Sequence, residues 1–334
     1  MSKRLGFISV IVSVFLLAGC GAEKETAPSN EGKTETEAQT SAQTAADNGL
    51  SDKEITVIVK NLTGPFFISV SEGAKAAGEE LGVKVNVLAP VGQEGAGNEE
   101  QAQMVEQAIA QQVDALVICP VDSKGIVPAV KKVVDAGIPV VNLNTKIGGT
   151  EQLAKTFVAI ENYEVGKSVA QNLCEKMGGD GKLIIIEGTA GAQTSIDRVQ
   201  GANDAIKEYP DIEVVASQSA NYSRADAMNV AQNLLQSNPD VEAIFCCNDE
   251  MAMGVVEAID AAGKTGSILV TGVDANADAR QAIKDGKMYA TCDSQPYYQG
   301  YDSVMAAAKI LRGEPVEDFY RTETKLITIE NVDE

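Results

Sequence analysis

From residue 54 onward the chain alternates short β-branched apolar runs with longer stretches of helical periodicity. The apolar runs fall at 55–60, 84–88, 115–119, 139–143, 156–160, 182–187, 213–217, 243–246, 268–271 and 289–293. Several of these are continuously apolar, as strands covered on both faces are. Helical spacing appears at 67–81, 99–112, 124–136, 165–177, 196–208, 224–236 and 250–262. Gly82, Gly137 and Gly263 stand where a helix ends in a left-handed residue. This alternation predicts βαβ units and parallel sheets. Ten strands exceed one ordinary doubly wound sheet, so two parallel sheets of about five strands each are expected. In such sheets the loops at the carboxyl ends of the strands hold the ligand, and two facing sheets would turn both sets of loops onto one solute.

The first twenty residues break this pattern. Lys3 and Arg4 precede the uncharged apolar stretch 5–17, which is shorter than the about 20 residues needed to span a bilayer. The stretch ends Leu17-Ala18-Gly19-Cys20. Positive flank, short apolar core and small residues describe an export signal. The small pair before Cys20 resembles a bacterial lipobox, which implies lipid attachment at Cys20 and two acyl chains, enough for a stable anchor. Residues 21–50 are rich in Ala, Thr, Glu, Gln and Ser and hold no aromatic residue. They cannot bury enough apolar surface to offset their ordering entropy and are expected to form a disordered tether spanning roughly 30 Å. The folded part would then sit outside the cytoplasm, held at the membrane by its lipid alone, on the periplasmic side if an outer membrane is present.

Composition narrows the chemistry. A net charge of −21 argues against nucleic acid, which is bound through Lys and Arg. The absence of histidine removes His-based acid–base catalysis, Ser–His and Cys–His nucleophiles and His-ligated zinc. Besides Cys20 the chain has Cys119, Cys174, Cys246, Cys247 and Cys292, an odd set with no Cys-x-x-Cys spacing. Buried free thiols are expected rather than a disulfide framework. Neither a cofactor nor a metal is expected, and no acidic loop has calcium-site spacing.

Polar and aromatic residues gather at the predicted strand ends. Lys60-Asn61-Leu62-Thr63-Gly64-Pro65-Phe66-Phe67 resembles the opening motif of the ribose-type periplasmic sugar-binding proteins. Phe245-Cys246-Cys247-Asn248-Asp249-Glu250-Met251-Ala252-Met253-Gly254 resembles their internal motif, with Gly272-Val273-Asp274 after it and Asn238-Pro239-Asp240-Val241 before it. The likeness covers nearly all of 54–334. It implies two Rossmann-like lobes joined by a three-strand hinge, the type I periplasmic binding fold. The lobes would be 54–160 with 295–323 and 161–294 with 324–334. It also implies a monomer that captures a sugar for an ATP-driven import permease.

Carried over by position, the resemblance puts the family's paired stacking aromatics on Phe66 and Phe67 and the opposing aromatic on Tyr222. It puts polar ligand contacts on Asn248 and Asp274. Asn61 belongs to the same strand-end cluster. Asn and Asp also favour helix N-caps, so Asn248 is expected to face ligand while Asp249 caps. Three positions depart from the family. Asn144-Thr145 stand in place of an Asp-Arg pair, Ile196 in place of an arginine, and Ser294 in place of a glutamine. With two guanidinium forks missing and Arg198 set two residues on as a structural helix residue, the sugar is expected to differ from ribose. Lys60 would supply a cation, and Gln193 and Thr194 neutral donors. Two alternatives stay open: a receptor feeding a chemoreceptor or sensor kinase, and a carbohydrate-active enzyme using paired carboxylates from Asp249, Asp274 and Asp293.

Overall fold

The computed structural model describes residues 49–91, 97–149 and 152–334. The leader, Cys20 and all of the tether up to residue 48 lie outside the described residues. Leu50, at the end of the expected tether, is fully buried against the first helix-covered face, so the packed fold has begun by that position.

Two six-stranded sheets form. The first contains β1 (Glu54–Ile58), β2 (Lys84–Leu88), β3 (Ala115–Ile118), β4 (Val140–Leu143), β5 (Thr156–Ala159) and β11 (Phe319–Arg321), in the order β11-β5-β4-β3-β1-β2. The second contains β6 (Asp180–Glu187), β7 (Asp211–Ser219), β8 (Ala243–Cys246), β9 (Leu269–Val273), β10 (Ala290–Asp293) and β12 (Lys325–Thr328), in the order β12-β10-β9-β8-β6-β7. Each sheet repeats one doubly wound order, and each gains an edge strand from the C-terminus beyond the five expected. β11 adds parallel to β5, whereas β12 adds antiparallel to β10.

Alternation along the strands assigns the core. In the first sheet Ile55, Val57, Val117, Val141 and Val158 face helices α1 (Pro65–Leu81) and α9 (Pro296–Leu311). Ile58, Leu116, Ile118 and Val140 face α2 (Asn98–Gln111) and α3 (Val127–Asp135). The period of two makes one strand serve two cores, which is why these runs read as continuously apolar. The second sheet is covered by α4 (Asn162–Met177), α5 (Gln193–Ile206), α6 (Arg224–Ser237), α7 (Asp249–Ala261) and α8 (Ala277–Lys284) around one cluster that includes the fully buried Phe245.

The chain passes between the two lobes three times: between β5 and α4, between β10 and α9, and between β11 and β12. All five cysteines of the described residues are buried and free. Burial pushes their thiols up, that of Cys174 to about 11. No helix among the described residues is long and apolar enough to cross a membrane.

Candidate functional site

A cavity lies between the lobes, at the carboxyl ends of both sheets. It holds about 620 Å³ of unfilled space, with the open solvent at its mouth included. Lys60, Asn61, Gly64, Phe66, Phe67 and Asn144 line it from the first lobe. Thr189, Thr194, Arg198, Tyr222, Asn248, Glu250, Asp274 and Asn276 line it from the second.

The first wall is built over a few residues. After β1, the buried Asn61 accepts the amides of Thr63 (3.1 Å) and Gly64 (2.7 Å) through Oδ1. This turn of an Asx side chain on its own backbone delivers Pro65 to the first turn of α1, where its fixed φ suits the helix start. Phe66 and Phe67 follow, rings edge to face with centroids 4.9 Å apart. Phe67 is sunk into the core and Phe66 only packs against it. After β4, Asn144 takes a left-handed φ of 56°. Its Nδ2 donates to Gln299 Oε1 at 3.0 Å.

The second wall is assembled from four helix starts. Asn248 caps α7 by accepting the Met251 amide (3.0 Å), and Asn276 caps α8 by accepting the Ala279 amide (2.9 Å). Each uses its oxygen on its own helix, and both side chains border the cavity. Asp249 is not the cap expected of it. It is fully buried behind the wall and accepts Thr291 Oγ1 (2.6 Å) and the Asn276 amide (2.9 Å). Asp274 sits at φ 127° just past β9, accepting Ser294 Oγ at 3.1 Å. Burial raises the pKa of Asp274 to about 8, with Arg198 opposing the rise and Asp249 adding to it, and that of Asp249 to about 7, against the hydrogen bonds from Thr291 and the Asn276 amide.

Arg198 corrects the expectation of a cavity without a guanidinium. It is buried and structural, and it also lines the cavity. Nε donates to Asn162 Oδ1 (2.9 Å) and Nη1 to the Cys247 carbonyl (2.5 Å), which bolts α5 to the start of α4 and the end of β8. Ile196, at the position compared with an arginine, instead faces a separate surface groove. Tyr222, following Asn221, has left-handed φ like its neighbour. Its ring rests on Gly188, where a Cβ would come 2.2 Å from Cζ. Lys60 of the other lobe reaches over that ring, its Nζ 5.4 Å from the centroid. Burial pushes the Tyr222 phenol well above its ordinary value.

Of the residues expected from sequence, Lys60, Asn61, Phe66, Phe67, Asn144, Thr194, Tyr222, Asn248 and Asp274 meet at this cavity. Thr145, Gln193 and Ser294 lie behind its lining. Thr145 Oγ1 is 2.6 Å from Thr194 Oγ1 of the other lobe. Gln193 holds Asp197 Oδ1 at 2.7 Å. Ser294 orients Asp274, and its carbonyl accepts Gln299 Nε2 at 2.7 Å, so one chain of hydrogen bonds runs Asn144–Gln299–Ser294–Asp274 between the lobes. Gln299 gave no sequence signal, because its role is set by a partner 155 residues away. Asn276 and Glu250 were within reach, the first as a cap residue before a helix, the second inside the internal motif.

The cavity can stack one apolar face of a ring on Phe66 and satisfy hydroxyls with amides, hydroxyls and the carboxyl groups of Asp274 and Glu250. Asp293 is turned away, paired to Arg280 at 3.1 Å, and Asp249 is shielded, so the carboxylates do not form a facing pair. Among the described residues no group of three or more His, Cys, Asp or Glu could hold a metal ion.

The family described as periplasmic binding protein domain matches residues 55–315. The ribose import binding protein of Bacillus subtilis is 35% identical over 330 residues, covering 98% of this chain and 99% of that protein. An ABC transporter periplasmic solute binding protein from Actinobacillus succinogenes, solved with bound D-allose, is 33% identical with a TM-score of 0.79, covering 84% of this chain and 99% of that one. A solute binding protein from Agrobacterium vitis, solved with bound D-fucose, is 34% identical with a TM-score of 0.80, covering 84% and 97%.

Proposed function

The chain belongs to the ribose-type periplasmic sugar-binding family, and from that premise we propose that it captures a neutral monosaccharide other than ribose outside the cytoplasm and delivers it to an ABC import permease. The observation that carries the reading is the pairing of walls: Phe66 on one lobe faces the amide and carboxylate groups of Asn248 and Asp274 on the other. Aromatic carbon covers the C–H face of a pyranose or furanose, while amides donate and accept and a carboxylate accepts from hydroxyls. The sugars named for the similar proteins, ribose, D-allose and D-fucose, are all neutral rings of this kind. Asn144-Thr145 replaces a charged pair with neutral groups, and among the described residues Arg198 is the one guanidinium that reaches the lining. A changed set of donors selects a changed pattern of hydroxyls.

The role is capture without chemistry. A sugar held by both walls favours their apposition, and the apposed form is the one a permease reads. The lobes assigned to it are 54–160 with 295–323 and 161–294 with 324–334, and the unit is a monomer. Cys20 carries the lipid that keeps it at the membrane.

A thermal-shift screen of the full chain against pentoses, hexoses, deoxy sugars and polyols tests the reading. A sugar at about 100 times its Kd should stabilise the fold by about 2.7 kcal/mol. No shift with any carbohydrate, together with a shift from an amino acid or nucleoside, overturns it. Fatty-acid labelling that persists in Cys20→Ala would remove the anchor.

A further inference from the structure

The loop after β3 and the loop after β6 belong to different lobes, and they touch outside the cavity. The Ser123 amide donates to the Gly191 carbonyl at 3.2 Å, and the Gln193 amide donates to Ser123 Oγ at 3.0 Å. Ser123 is itself fixed from its own lobe, its carbonyl accepting the Gly148 amide at 2.7 Å.

The Gln193 amide is the first of helix α5. Helix starts leave amides without intrahelical partners, and a side-chain oxygen usually satisfies one of them. In the same lobe α6, α7 and α8 are capped by their own Ser223, Asn248 and Asn276. Helix α5 starts from Ala192, which offers no side-chain acceptor. Its cap comes from Ser123 across the cleft. The residues that follow on α5, Thr194 and Arg198, line the cavity, while Ser123 does not. Gly191 lets the loops meet: its φ is 84°, and a Cβ there would lie 2.8 Å from Asp122 Oδ2.

We propose that Ser123 is a positioning residue for ligand capture, capping α5 in trans so that apposition of the lobes and the placement of Thr194 and Arg198 are one event. The contact is made only with the lobes together, and an interaction present in one of two states shifts their balance by its own strength. A helix cap is worth about five- to tenfold in an equilibrium constant. Ser123 thus sets how tightly a sugar is held without selecting which sugar. The part concerning affinity rests on the sugar-binding reading above.

The test uses the full chain with D-allose, D-fucose and D-ribose as probes, measured by titration calorimetry and stopped-flow release, with hydrogen exchange of the first turn of α5 in parallel. Ser123→Ala is expected to weaken each bound sugar by about five- to tenfold, chiefly through faster release. Ratios between sugars stay fixed, and the Gln193 amide exchanges faster. Ser123→Thr restores both, and Gly191→Ala weakens binding in the same uniform way. Unchanged affinity and unchanged exchange in Ser123→Ala overturn the proposal, as does a loss of thermal stability with affinity intact. If the wild type binds none of the probes, the affinity arm is run with the sugar that the thermal-shift screen returns, and the sugar reading fails if that screen returns none. The exchange arm then decides the trans cap by itself: faster Gln193 exchange in Ser123→Ala supports it, and equal exchange refutes it.

Discussion

The aromatic part of the wall supplied by the first lobe is held by residues near in sequence, and the Arg198 and Asp274 part of the wall supplied by the second by residues from other elements. Asn61, Gly64, Phe66 and Phe67 lie within one turn and the helix it opens. Arg198 depends on Asn162 and Cys247, and Asp274 on Ser294 of a later strand end. A wall made by a local turn keeps its shape as the lobe moves. A wall made of distant anchors is correct only when the whole second lobe is folded and its buried charges are balanced. The contrast assigns the first wall to a preset stacking surface and the second to adjustable polar recognition.

The sharpest way to break this comparison is inside the first wall. Phe67→Ala should cost about 3–5 kcal/mol in denaturant unfolding because its ring is core, whereas Phe66→Ala should spare most of that stability and lose about tenfold in sugar affinity. Equal stability losses would erase the distinction between the two rings. In the second wall, Arg198→Met should lower stability by about 3 kcal/mol, since two charge-assisted hydrogen bonds go with it and their acceptors stay buried. It should weaken sugar binding as well. An Arg198→Met protein with wild-type stability would show that the anchors to Asn162 and Cys247 are incidental.

Asp274→Asn should weaken sugar binding about tenfold, as loss of one carboxyl oxygen acceptor at the cavity wall does, with circular dichroism unchanged. Wild-type affinity would mean that the carboxylate faces away from the ligand.

Stability also carries a pH slope. The folded pKa values of Asp249 and Asp274 are raised, to about 7 and about 8, above the unfolded value of about 3.9. The folded state therefore binds protons more tightly. Their contribution is fully present below the unfolded pKa and is lost as pH rises through the window to about 8. Unfolding of the sugar-free chain at a series of pH values should show this decline, and Asp249→Asn should flatten it. A slope equal to wild type in that variant would locate the titration elsewhere.

Much of the fold was legible because its strands are short, apolar and separated by helix starts and stops that act locally. The run at 84–88 and the one at 243–246 coincide with β2 and β8. The edge strands β11 and β12 were not legible: Phe-Tyr-Arg and Lys-Leu-Ile-Thr are too short to carry a period, and they become strands only by pairing with β5 and β10. In the site, Phe66, Asn144 and Asp274 were found from strand-end position and motif. Arg198 was set aside as structural because helical spacing gives no hint that a bolt between α4, α5 and β8 also borders a cavity. Asn248 took the capping role expected of Asp249 while still bordering the cavity, because the cap is chosen by backbone φ and ψ, which adjacent Asn and Asp leave open.

By itself the sequence determined the alternation of strand and helix, the two-lobed parallel architecture, the lack of imidazole chemistry and the aromatic turn at Asn61 to Phe67, since each follows from contacts of a few residues or from composition. Tertiary structure alone decided which polar groups face the cavity and which stand behind it. Thr145, Gln193, Gln299 and Ser123 acquire partners that come together only when segments 49 to 155 residues apart are brought within hydrogen-bond distance. No local pattern encodes a distance of that kind; it exists only once both sheets are packed and the lobes face each other.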